Sequence, residues 1–155
     1  MEFFILAKTI TYLFLSLSSP TTLVFEEPIE YVSAGKQGDF SLHRSNNHKI
    51  LIIQPLKEVT ETNMVVVTRN QHFQFKLKPS TENNHQFVYL YRGEINKTFI
   101  KKMETDEFKI LEGDSSILIQ NKQQNPLVVN EAEVIKEDHF SKGAPIIINN
   151  KRVLN

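Results

Sequence analysis

Two neighbouring runs constrain this chain more than anything else in it. Thr62-Asn63-Met64-Val65-Val66-Val67-Thr68 is β-branched almost throughout. Such side chains lose rotamer freedom in a helix and fit a pleated surface. Phe73-Gln74-Phe75-Lys76-Leu77-Lys78 alternates at every step, which puts Phe73, Phe75 and Leu77 on one face and Gln74, Lys76 and Lys78 on the other. Arg69-Asn70-Gln71, polar and short, has the length of a hairpin connection. The pair predicts adjacent strands, with Val65, Val67, Phe73, Phe75 and Leu77 in one core.

The same period of two runs outward from this centre. Leu23 and Phe25, then Ile29 and Tyr31 after Pro28, read as short strands around a Pro-marked bend. Residues 34–39 and 45–48 are turn clusters, flanking Phe40-Ser41-Leu42 and preceding Ile50-Leu51-Ile52-Ile53, which Pro55 closes. Phe87, Tyr89 and Tyr91 alternate with Val88 and Leu90, and one-faced alternation makes core packing the default reading of the aromatics, with an interaction surface as the other. A second hairpin is expected here. Strands every 8–12 residues suggest a β-sandwich of short antiparallel strands, an all-β fold.

Composition shifts near Glu94, so the chain divides into residues 21–93, a β-sandwich domain, and residues 94–155, a linker and a smaller β-rich segment. Lys97 to Glu107 reads as a linker or a weak helical turn, and Glu131 to Glu137 as a short helix. Ser115 to Gln120, Leu127-Val128-Val129 and Pro145 to Ile148 read as strands. No internal repeat is read, and the second segment looks too small to own a core unless it packs on the first. Residues 1–20 leave two readings open. Ile10 to Leu17 is long enough for the apolar part of a secretory signal, although Glu2 stands before it and no Ala-x-Ala site follows. Thr9 to Leu17 also suits a buried first strand, rich in β-branched and aromatic residues.

The sequence argues against most chemistry. Of 155 residues, 18 are Lys or Arg and 18 Asp or Glu, so the basic excess of a nucleic-acid binder is missing. There is no Cys, which removes thiolate metal sites, disulfides and cysteine nucleophiles. His43, His48, His72, His85 and His139 are scattered without metal-ligand spacing. Ser115-Ser116 has no nucleophile elbow, and Gly35 and Gly38 have no Lys-Ser/Thr behind them to make a phosphate loop. Glu26, Glu27, Glu30, Asp106 and Glu107 suit strand ends, and the sequon Asn96-Lys97-Thr98 is a pattern frequent by chance. No catalytic residue, metal or cofactor is expected, and an enzyme is the less favoured class. Lys97, Lys101 and Lys102 have two readings: contact with an acidic partner or anionic lipid, and, preferred, a solvated face.

Four blocks resemble a family in their order and spacing. They are Thr21-Thr22-Leu23-Val24-Phe25 followed by Pro28 to Val32, Gly35 and Gly38-Asp39; Ile50 to Pro55; Thr62 to Thr68; and Phe73 to Leu77. Together they resemble the N-terminal domain of the ring component of bacterial type IV secretion systems, the family of the conjugal-transfer proteins TrbG and TraK. The likeness is sharpest at Thr62, Asn63, Val65, Val67, Thr68, Phe73 and Phe75, and spans roughly residues 21–92. It implies a periplasmic or outer-membrane-associated β-sandwich that joins a lipoprotein and a channel-forming protein in a ring: a structural, non-catalytic subunit. The family's C-terminal Asp-Asp-Gly-x-x-Thr segment has no counterpart between Ile100 and Asn155, which puts the lipoprotein contact in doubt and implies a short paralogue with the N-terminal domain only. From the residues themselves, the alternative is a stand-alone β-sandwich recognition or adhesion module that binds peptide or protein by strand addition.

Overall fold

In the computed structural model, which describes residues 1–58 and 60–155, 57% of the chain is strand and no helix occurs among those residues. The all-β expectation holds. In chain order the strands are β1 (Glu2–Ile5), β2 (Ile10–Leu15), β3 (Thr21–Phe25), β4 (Ile29–Ala34), β5 (Phe40–Arg44), β6 (Ile50–Pro55), β7 (Thr62–Thr68), β8 (His72–Pro79) and β9 (Phe87–Arg92). Then follow β10 (Ile100–Glu104), β11 (Phe108–Glu112), β12 (Ser116–Asn121), β13 (Leu127–Val129), β14 (Ala132–Val134), β15 (Glu137–Ser141), β16 (Ile146–Ile148) and β17 (Lys151–Leu154). They form two units, Met1–Glu2 with Ile10–Tyr91, and Phe3–Thr9 with Arg92–Asn155.

In the first unit, strands run in the orders β9-β3-β6-β5 and β2-β8-β7-β4. Phe25 of one sheet meets Phe73 of the other edge to face, with ring centroids 5.1 Å apart, so the two sheets share a core. β7 and β8 form the expected hairpin, and Phe73, Phe75 and Leu77 are buried. The phase of β7 differs from expectation. Its register sets Met64 against Phe75 and Val66 against Phe73, so Met64, Val66 and Thr68 face inward. Val65 is 38% exposed and Val67 half-buried. Three consecutive valines fit either phase, and the partner strand decides between them.

β9 shows the same inversion. Val88 and Leu90 are buried, while Phe87 is 47% and Tyr89 40% exposed. The cause is register: β9 lies parallel to β3, with Val88 beside Leu23 and Leu90 beside Phe25, and the core face of β3 fixes that of β9. The expected second hairpin is therefore absent, because the chain after β8 crosses to the opposite sheet. Residues 80–86 make that crossing, which His85 anchors. His85 is buried, its Nδ1 accepts the Phe14 amide at 2.9 Å, and its carbonyl accepts the Thr21 hydroxyl. β2 is also parallel, running beside β8, with Leu13 and Leu15 buried. Of the two readings of this segment, the structure contains the buried strand.

The second unit overturns several expectations. It owns a core: Phe108, Ile110, Ile117, Ile119 and Phe140 from the sheet β10-β11-β12-β15 pack with Leu127, Val129, Val134, Ile146 and Ile148 from the sheet β14-β13-β16-β17. Residues read as a linker form β10, an edge strand exposed along most of its length, which is why no alternation marks it. Residues read as a short helix form β14 and the start of β15.

A repeat is present as well. Pro126-Leu127-Val128-Val129-Asn130 and Pro145-Ile146-Ile147-Ile148-Asn149 match with a shift of 19 residues, and each continues through three residues to Val134 or Val153. Each copy is a hairpin with a two-residue turn, Asn130-Glu131 and Asn149-Asn150, and all four turn residues have positive φ (46°, 70°, 47° and 68°). Turns with both central residues left-handed match strand twist, and Asn tolerates that conformation. The hairpins pair through Val129 and Ile148, so the four-stranded sheet has an approximate internal two-fold axis.

Candidate functional site

The residues that carry the family likeness occupy folding positions. Phe73, Phe75 and Thr68 are buried, Thr62 and Val67 half-buried, and Asn63 and Val65 exposed on the opposite face of β7. Gly35 has φ 55°, and a Cβ there would stand 2.9 Å from the Phe40 ring, so the turn before β5 requires glycine. Asp39, buried beside that turn, pairs with Lys57 Nζ at 3.1 Å. The Lys57 contact holds its carboxyl below the ordinary carboxylate value, and the Lys36 amide adds to the effect against the cost of burial.

Lys101 and Lys102 lie on β10 and are engaged within their own unit. Lys101 Nζ stands 3.5 Å from Glu104, and Lys102 Nζ 2.5 Å from Glu112, which also receives Lys142 at 3.2 Å. Lys122 reaches Glu104 at 3.1 Å. The Lys102 bond first, then that of Lys142, depresses the Glu112 pKa, and Lys122 chiefly depresses that of Glu104. The run is thus a mixed-charge surface, with Lys97 exposed before the strand begins.

The sequon asparagine has a structural role. Asn96 Oδ1 accepts the amides of Ser115 and Ser116 at 2.8 and 2.9 Å and the Ser116 hydroxyl at 2.9 Å. These bonds also account for Ser115-Ser116, which cap a turn. The histidines stay apart: His43, His48 and His72 are exposed, His85 is buried in the first unit, and His139 sits 5.7 Å from Phe99 in the second. No group of three or more His, Cys, Asp or Glu that could hold a metal comes together among the described residues.

Two further features stand apart from these residues. A cavity of about 850 Å³ opens at one end of the first unit, walled by Leu15, Leu17, Pro55, Leu77 and Pro79. Its lysines are occupied: Lys57 pairs with Asp39, and Lys78 pairs with Glu61 at 3.3 Å and lies over the Tyr12 ring. The other is the outer face of the sheet β9-β3-β6-β5. There Phe87 and Tyr89 have centroids 5.2 Å apart, Tyr89 and Tyr91 lie nearly parallel at 6.4 Å, and Val24 and Ile50 continue the strip. The alternation of β9 carries this feature, and it exposes Phe87 and Tyr89, which the default reading of the aromatics places in the core.

No protein-family model matches the chain, and no curated protein matches it.

Proposed function

We propose that this protein is a structural, non-catalytic subunit of the outer-membrane core of a bacterial type IV secretion or conjugation channel, acting in the periplasm or at the outer membrane. The observation that carries the reading is the pairing of its two most family-like runs, Thr62–Thr68 and Phe73–Leu77, as one antiparallel hairpin in a sandwich sheet. A second β-unit with its own core follows, in the place where that family carries a second β-domain. This fits a two-domain subunit better than a copy reduced to the first domain. Other copies, a channel-forming protein and a lipoprotein are the partners of this reading.

The outer aromatic strip of β9 favours a second reading, a β-sandwich recognition module. Crosslinking in intact cells separates the two. A subunit yields crosslinks to channel components, and a tagged chain becomes accessible to protease once the outer membrane is permeabilised. A chain confined to the cytoplasm, with no such crosslinks, overturns the first reading. Because β2 is a strand of the first unit, the readout must use a carboxy-terminal tag that leaves residues 1–20 in place.

A further inference from the structure

In the first unit, β4 and β5 are the last strands of their two sheets, on the same side of the sandwich. Residues 35–39 join them at one end. At the other end the Ile29 amide donates to the His48 carbonyl at 2.7 Å, and Arg44 Nη1 to the Ile29 carbonyl at 3.4 Å. Between those ends the core is left uncovered. Register sets Val32 opposite Val66, Ala34 opposite Met64 and Leu42 opposite Ile53, and side chains directly opposite share a face. Val66, Met64 and Ile53 are fully buried, whereas Val32, Ala34, Phe40 and Leu42 are only half-buried.

The backbone of β5 is free along the same side. The Ser45 amide donates to the Ile50 carbonyl at 3.0 Å and the Leu56 amide to the Asp39 carbonyl at 2.9 Å. These bonds fix the odd-numbered residues of β5 as those that bond to β6. Phe40, Leu42 and Arg44 therefore turn their amides and carbonyls outward. Among the described residues no backbone group outside the ladder bonds to them. β5 pairs with β6 without a shift in register and carries neither Pro nor Lys, so nothing blunts this edge. β4 is blunted, because its register shifts between Ile29 and Tyr31 and its Ile29 amide is already bonded.

We propose that β5 receives an extended segment of another protein, added as a further strand of its sheet. Its backbone would meet Phe40, Leu42 and Arg44, and apolar side chains at every second position would cover the opening beside Val32 and Leu42. A second copy of β5 fits poorly. Pairing two copies around Leu42 sets Arg44 of each against Phe40 of the other, which brings a guanidinium to an apolar opening. The site deepens the recognition-module reading above and rests on it.

A capped peptide that alternates threonine with valine serves as the probe, added to the full chain. It should protect the Leu42 and Arg44 amides from hydrogen exchange, and the same residues in an order without alternation should bind about tenfold more weakly or worse. Leu42→Pro removes an outward N–H and no ladder bond. With a native circular dichroism spectrum it should weaken binding by about tenfold or more. Val32→Asp keeps every backbone group of β5, should weaken binding as well, and serves if Leu42→Pro fails to fold. Protection at β4 alone overturns the proposal, as do dimers of the free chain in which Leu42 is already protected. If both variants bind normally while Tyr89→Ala does not, the edge contact falls and the recognition reading stands on its outer aromatic strip. A probe that binds nowhere overturns the edge contact too, and the recognition reading then falls only if crosslinks in cells run to channel components.

Discussion

Asn130 and Asn149 hold equivalent places in two hairpins, and each binds the strand of the other. Asn130 Oδ1 accepts the Ile147 amide at 2.9 Å, and Asn149 Oδ1 accepts the Val128 amide at 3.1 Å. The backbone repeats the relation, with the Asn130 amide donating to the Ile147 carbonyl and the Asn149 amide to that of Val128. The surroundings differ. Asn130 is buried and also donates to the Pro145 carbonyl at 3.1 Å, whereas Asn149 is exposed.

That difference predicts unequal costs. Asn130→Ala leaves buried groups without partners and should cost the second unit about 1–3 kcal/mol. Asn149→Ala should cost less, because water reaches the groups it frees. Hydrogen exchange checks this at single amides: Ile147 should lose protection in Asn130→Ala, and Val128 should change little in Asn149→Ala. Equal effects would show that the two hairpins share burial as well as form.

In the first unit the inward phase of β7 can be tested against the outward one. Phe75→Ala should cost about 3–5 kcal/mol and Met64→Ala about 2–5, as for other buried side chains. Val65→Ala should cost under about 1 kcal/mol, because its side chain lies on the exposed face of β7. Urea unfolding of the three variants decides between the phases. A large loss at Val65 with none at Met64 would reverse the register.

The contrast between β8 and β9 shows what the sequence could tell. Phe73, Phe75 and Leu77 alternate with Gln74, Lys76 and Lys78, so polarity names the outer face without help from any neighbour. In β9 both faces are apolar, and aromatic Phe87 and Tyr89 lost the core to smaller Val88 and Leu90 only because β3 lies alongside. That is tertiary information, as is the ion-pair network that engages Lys101 and Lys102. β11 was within reach, since Phe108 and Ile110 alternate with Lys109. The hairpin repeat was legible too, once Pro126 and Pro145 are aligned. β10, exposed along most of its length, left no pattern to read.

Acid should weaken the second unit through Glu112. Lys102 and Lys142 depress its folded-state pKa below the ordinary value of 4.5. The carboxylate therefore contributes stability above the unfolded pKa, and that contribution is lost as pH falls through the folded one. Glu112→Gln should be less stable than wild type at neutral pH and converge with it in acid. The site is largely solvated, so the gap should be small and should shrink with salt. Thermal melts across the acid range measure it. A gap that widens in acid contradicts the assigned direction.

Gly93 gives the sharpest steric prediction. It stands just after β9, where the second unit resumes, and its amide donates to the Ile5 carbonyl at 2.9 Å. A Cβ at this position would lie 2.8 Å from the Ser115 carbonyl oxygen and 2.9 Å from that of Phe4. Both obstacles are backbone, so neither can swing aside as a flexible side chain would. Phe4 is itself fixed, because its amide donates to the Lys142 carbonyl at 2.8 Å, and the Ser115 amide is held by Asn96. Gly93→Ala should therefore destabilise the second unit by about 1–3 kcal/mol, the usual cost of overpacking. If Gly93→Ala melts with wild type, the close approach of three chain segments at this point is looser than the structure has it, and the segment Phe3–Thr9 is held by its other bonds, such as that from the Leu6 amide to the Ser141 hydroxyl at 2.9 Å.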